Sequence, residues 1–145
     1  MRAFNLSWRQ YEDSGPGIDH VDVRLIVLLR DLNDYTGKNL MVHCLYDEDR
    51  APDNLHRQGL AADGHIENMG LLDQYVCISR FPFKGIGLYT AWNHAGFHVD
   101  LRNQKIGARW ACRKQGEYVA MNADFLQYAL AAETNGAVNT KGGKV

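Results

Sequence analysis

The stretch HRQGLAADGHI, residues 56–66, changes character at Gly59. Up to the glycine it is polar. Beyond it, LAADGHI alternates like a β-strand, with Leu60, Ala62 and Ile66 on one face and Ala61, Asp63 and His65 on the other. Gly59 lets the chain turn between His56 and that strand, and the small Ala61 leaves room beside Asp63. Such a strand belongs in a sheet with one face on a core and the other carrying ionisable groups.

A second strand shows the same division. In GFHVDLR, residues 96–102, Phe97, Val99 and Leu101 point one way and His98, Asp100 and Arg102 the other. NLMVHCLY (39–46) is apolar enough for a buried strand, and GIGLYT (85–90) reads as another. RWACRKQGEYVAM (109–121) reads as a hairpin turning near Gln115–Gly116. DEDRAPDN (47–54) is polar, contains a proline, and reads as a loop. Helical spacing occurs three times. In IDHVDVRLIVLLRDLNDYTG, residues 18–37, Leu25, Leu28, Leu29 and Leu32 share a face broadened by Ile26, with Asp19 as expected N-cap and Gly37 as stop. Leu71, Leu72, Tyr75 and Ile78 mark a second helix. Phe125, Leu126 and Leu130 mark a third, from about Asn122 to Glu133. There is no long βαβ alternation, so the expected class is α+β, an antiparallel sheet with helices packed on it.

The chain's 145 residues suit one domain, expected over residues 1–133, with the Gly-, Asn- and Lys-rich residues 134–145 as a flexible tail. A net charge of −1 gives no electrostatic basis for nucleic-acid or anionic-membrane binding. No apolar run reaches the ~20 residues of a membrane span. MRAFNLSWRQYEDSGPG has no apolar core of the Sec type, so synthesis in a cytoplasm is expected. Cys44, Cys77 and Cys112 are odd in number and form no C-x-x-C pair, which argues against a disulfide framework and a cysteine-rich zinc knuckle.

His56, Asp63 and His98 are the residue types a catalytic zinc takes as three protein ligands with one position left open. The competing reading is a solvated strand face with incidental histidines, and spacing alone leaves both open. HRQGLAAD resembles the H-x-x-G-x-A-x-D motif of the zinc D-alanyl-D-alanine carboxypeptidases and related murein endopeptidases, whose zinc site is shared with the signalling domain of Hedgehog. GIGLYTAWNHAGFHVDLR resembles a second block of one branch of that family, and Trp110 matches a tryptophan that follows it. The resemblance runs from about Leu40 to Trp110. It implies a Hedgehog/DD-peptidase-like fold, one zinc ion on His56, Asp63 and His98, and hydrolysis of peptidoglycan stem or cross-link peptides. A phage or prophage protein acting on the cell wall after release is one source it suggests.

Three departures qualify what the resemblance implies. Asn54 stands where the family usually has Ser. The upstream arginine segment has no clean counterpart, with Arg50 as a possible substitute in a different register. Ala95 replaces the acidic residue that many members use as general base. Asp100 is then the candidate for base, or alternatively for hydrogen-bond partner behind a ligand. His94 is a second candidate for acid, base or oxyanion partner, against an exposed loop histidine. Arg102, Arg50 and Trp92 are candidates for holding substrate, with Tyr89 beside them, while Trp110 reads as packing. His43 reads as a core group, His65 as a hydrogen-bonded structural histidine and His20 as exposed. The alternative to a hydrolase is a non-catalytic zinc-containing module of the same fold that binds cell wall or serves in a phage structure, and Ala95 favours it.

Overall fold

The computed structural model describes residues 17–143, with the side chains of residues 19–133. The readings of the first sixteen residues and of Lys144 and Val145 lie outside the described residues. A 3-10 turn at Gly17–His20 precedes helix α1, Val23–Thr36. Then come β1 (Leu40–Cys44), β2 (Ala61–Ile66), α2 (Leu71–Ile78), β3 (Gly85–Tyr89), β4 (Gly96–Asp100), β5 (Ala108–Lys114), β6 (Glu117–Val119) and α3 (Ala123–Gly143). The class is α+β, as expected.

Among the described residues the strands form one sheet in the order β1-β2-β4-β3-β5-β6. All neighbours are antiparallel except β3 and β5, which run parallel and depart from the expected all-antiparallel sheet. The cause is where β4 ends. Asp100 lies opposite Gly85, so after β4 the chain stands at the start of β3. Residues 101–107 carry it to the far edge of β3, where Ala108 pairs with Gly85. From there the chain can only run alongside β3.

Most of the apolar stripes predicted from spacing form one core; Leu130 is 53% exposed and lies outside it, with Ala129 buried in its place. Leu25, Leu29 and Leu32 of α1, Leu71 and Ile78 of α2 and Phe125 of α3 pack with Val42, Ala62, Ile66, Leu88, Phe97 and Val99 of the sheet. Each such side chain contributes roughly 1.5–3 kcal/mol by leaving water. The N-cap of α1 is Asp22 rather than Asp19. Asp22 has extended backbone and accepts a hydrogen bond from Arg24 N at 2.8 Å, whereas Asp19 is taken up in the 3-10 turn. Gly37, at φ +68°, ends the helix as expected. Helix α3 starts near the expected residue, but its backbone continues to Gly143 instead of stopping at Glu133. No helix among the described residues is long and apolar enough to cross a membrane.

Buried Gln74, at 2% exposure, was not foreseen. Its amide receives Ile66 N at 3.0 Å and donates to the Met69 and Ala95 carbonyls, tying α2 to β2 and to the loop before β4.

Candidate metal centre

The register of β2 and β4 sets Asp63 opposite His98, on the face away from the α1 core. His98 Nδ1 lies 2.8 Å from Asp63 Oδ1. His56 arrives from the loop before β2. There Asn54 Oδ1 accepts from His56 N at 2.9 Å, a local turn bond. Gly59, at φ +72°, closes the turn, and its carbonyl accepts from Asp22 N at 2.9 Å. The turn thus rests on the start of α1 and aims His56 at β2. A Cβ on Gly59 would lie 1.8 Å from the His20 carbonyl oxygen. Gly59→Ala should therefore destabilise the fold by about 2–3 kcal/mol, read as a lowered urea midpoint, because both the left-handed backbone and a neighbouring main chain oppose the methyl.

His56 is 4% exposed, and its Nε2 lies 3.2 Å from Asp63 Oδ2. The two imidazoles therefore flank one carboxylate, one ring on each oxygen. The opposite nitrogens are also committed. His56 Nδ1–H donates to the Leu45 carbonyl at 2.9 Å. A carbonyl only accepts, so Nδ1 carries a proton and the lone pair of the neutral ring sits on Nε2, facing Asp63. His98 Nε2–H donates to Asp100 Oδ2 at 2.8 Å. Asp100 is 0% exposed and also accepts from Arg102 Nε at 2.9 Å and Arg102 Nη2 at 2.7 Å.

The charges follow this geometry. Burial pulls His56 towards neutrality, but the Asp63 carboxylate and the Cys44 thiol outweigh it and push it up to about 10. Burial opposes His98 likewise, and Asp100 and Asp63 raise it above the ordinary imidazole value. Burial would raise the Asp63 carboxyl, yet the two histidines hold it well below the carboxylate range. Asp100 is also held low against its burial, by Arg102 and His98. The two imidazole protons aimed at Asp63 carry the charge of one divalent cation, and the donors are those zinc prefers. Imidazole and carboxylate are donor types a metal takes.

The sequence reading missed one group. A register shift between Val42 and Cys44 places Cys44 opposite Asp63. Cys44, His56 and Asp63 each offer a ligand atom within 4.8 Å of one another and could together hold a metal ion. Cys44 Sγ lies 3.5 Å from His56 Nδ1, the nitrogen that serves Leu45. Cys44 therefore approaches the Nδ1 side of the ring, whereas Nε2 is directed at Asp63.

A cavity of about 250 Å³ opens over Asp63, lined by Arg50, Tyr89, Trp92, Arg102 and Trp110 with both histidines. Arg50, Arg102 and Trp92 thus line one cavity with His56, Asp63 and His98. Arg50 Nε holds Asp47 at 2.8 Å and Arg102 holds Asp100, and each guanidinium keeps further donors. Trp110 is more than packing. It lies against Gly87, where a Cβ would be 2.4 Å from the indole, and its Nε1–H donates to Tyr89 Oη at 2.9 Å. Burial pushes the Tyr89 hydroxyl up to about 12, so it stays a neutral donor.

Other candidates sit elsewhere. Asp100 does not line this cavity. It stands behind His98, in the space the missing side chain of Gly85 leaves free. His94 lines a separate, larger cavity and stacks on His65 at 4.5 Å between ring centroids. His43, expected in the core, is exposed on the ionisable face with its Nε2 2.5 Å from His65 Nδ1. Strand alternation explains this, since Val42 takes the core side. His65 is hydrogen-bonded as expected. His20 is exposed and stacks on Tyr46 at 4.6 Å. Comparison with protein-family models, with curated proteins and with solved structures gives no match.

Proposed function

We propose that this chain is a zinc-dependent hydrolase of peptidoglycan stem or cross-link peptides, with His56 Nε2, Asp63 and His98 Nδ1 as metal ligands. The observation that carries the reading is the convergence of both imidazoles on one carboxylate while their other nitrogens are held by Leu45 and Asp100. Ligating histidines characteristically donate their second N–H to a carbonyl or carboxylate, which fixes ring orientation and raises basicity. When bound, zinc supplies Lewis acidity that polarises a carbonyl and acidifies water. The peptidoglycan substrate rests on the sequence resemblance over residues 40–110.

The chain's own residues supply the rest. Arg50 and Arg102 put positive charge at the mouth of the cavity, suited to a peptide carboxylate. Tyr89 can donate its hydroxyl proton to a carbonyl or developing oxyanion while accepting from Trp110. Stacked Trp92 and Tyr89, 4.3 Å between centroids, give a flat wall for an extended peptide. Asp100 orients His98 and, enclosed by His98 and Arg102, has no route to a substrate proton.

One observation favours a second reading, a zinc-containing module that binds wall peptides without cutting them. Among the described residues lining the cavity, the acids and histidines are only His56, Asp63 and His98. None is spare to serve as general base, and Ala95 stands where the resembled family carries one. Muropeptide digestion followed by mass spectrometry separates the two. The hydrolase should release alanine or split cross-links in a way that chelation abolishes. Intact muropeptides from metal-loaded protein would leave the binding module.

A further inference from the structure

A second cavity, about 840 Å³, adjoins the cavity over Asp63, because Trp92 lines both. Its walls join apolar Met41, Met69, Leu71 and Ala129 with polar side chains that include His65 and His94. Two carboxylates also line it, Glu67 and Glu133. Glu67 receives Asn39 Nδ2 at 3.4 Å. Glu133 differs: its Oε1 is buried and has no hydrogen-bond partner among the described residues. The carboxylate rests on the backbone of Gly70, where a Cβ would lie 1.8 Å from Oε1. A buried acceptor without a donor costs roughly 1–3 kcal/mol, more when charged, so a ligand that supplies a donor is favoured there. No arginine or lysine is among the described residues lining the cavity, and nearby Lys38 gives its ammonium to the Asn68 carbonyl.

We propose that this cavity is a specificity subsite for a substrate side chain that ends in an aliphatic ammonium, its methylenes against Met41, Met69 and Ala129 and its charge on Glu133. The inference deepens the peptide reading above and rests on it for the identity of the substrate. The chemistry is that of lysine-like side chains, long enough to pass Trp92 and cationic at the tip. Glu67 adds negative potential without being the partner.

The test compares two peptides ending in D-Ala-D-Ala that differ only in a free or acetylated lysine ε-amine. It also compares Nα-acetyl-lysine amide with its Nε-acetylated form, a pair that lacks the scissile bond, by NMR titration of the full chain. Wild type should bind the free-amine probe, and turn over the free-amine peptide, about tenfold better than the acetylated form. Glu133→Gln should erase that preference while leaving the acetylated peptide unaffected. Gly70→Ala, permitted by its φ of −65°, should do the same by displacing the carboxylate. Equal treatment of the two forms by wild type, absence of binding by either probe, or a preference that survives both substitutions overturns the subsite. A binding preference without cleavage keeps the subsite and removes the hydrolase. Cleavage without a preference does the reverse.

Discussion

His98→Ala should strip zinc from the purified protein, and Cys44→Ala should leave it in place. Both variants bear on the same centre, because Asp63 is within reach of either side chain. The hydrogen bonds decide between them. His56 Nδ1 is bound to the Leu45 carbonyl, so the electron pair His56 can give a metal lies on Nε2, the side shared with Asp63 and His98. Cys44 Sγ approaches the other side. Zinc binding in small structural sites amounts to about 10–16 kcal/mol, or about 3–4 kcal/mol per ligand. Loss of His98 should then weaken binding on the order of 100- to 1000-fold. The measurement is zinc content after dialysis, with His56→Ala and Asp63→Ala in parallel. If Cys44→Ala lost the metal and His98→Ala kept it, the centre would be Cys44, His56 and Asp63.

Local periodicity made the layered arrangement legible and offered His56, Asp63 and His98 as one candidate set, which spacing alone left open and the resemblance to a known family favoured; their pairing comes from the register of β2 on β4. Alternation over residues 60–66 and 96–102 assigns each side chain a face, and a turn glycine can bring His56 beside the strand. Three features depend on geometry that alternation does not encode. The parallel pairing of β3 with β5 arises from where β4 ends. The position of Cys44 opposite Asp63 arises from a register shift that leaves no composition signal. His94 follows a loop path, and it faces the larger cavity although only two residues separate it from the strand position of Phe97. His43 was legible in principle. Val42 and Leu40 claim the core side, so the residue between Val42 and Cys44 faces outward. Reading the apolar run as buried on both faces hid that.

Asp100→Ala should cost the fold about 3–5 kcal/mol and weaken metal binding 10- to 100-fold. Asp100 is fully enclosed and joins two cationic partners, Arg102 through paired guanidinium bonds and His98 through Nε2. Removing one partner of such a buried group leaves the others uncompensated, which is where the stability loss arises. For a slope of about 2 kcal/mol per molar urea, the midpoint should fall by at least about 1.5 M. The loss of metal affinity has a separate origin, because His98 keeps its Nδ1 but nothing then fixes its ring or raises its basicity. Asp100→Asn separates the two roles that the strand position allows. An asparagine carbonyl can still accept from His98 Nε2, so ring orientation survives in part. A carboxylate whose task is to hold His98 predicts that metal affinity and turnover fall together in this variant. A carboxylate that takes a proton from the attacking water predicts full zinc content with turnover abolished. The enclosure of Asp100 by His98, Arg102 and β3 favours the first pattern, and zinc content measured beside muropeptide turnover on the same preparation reads it directly.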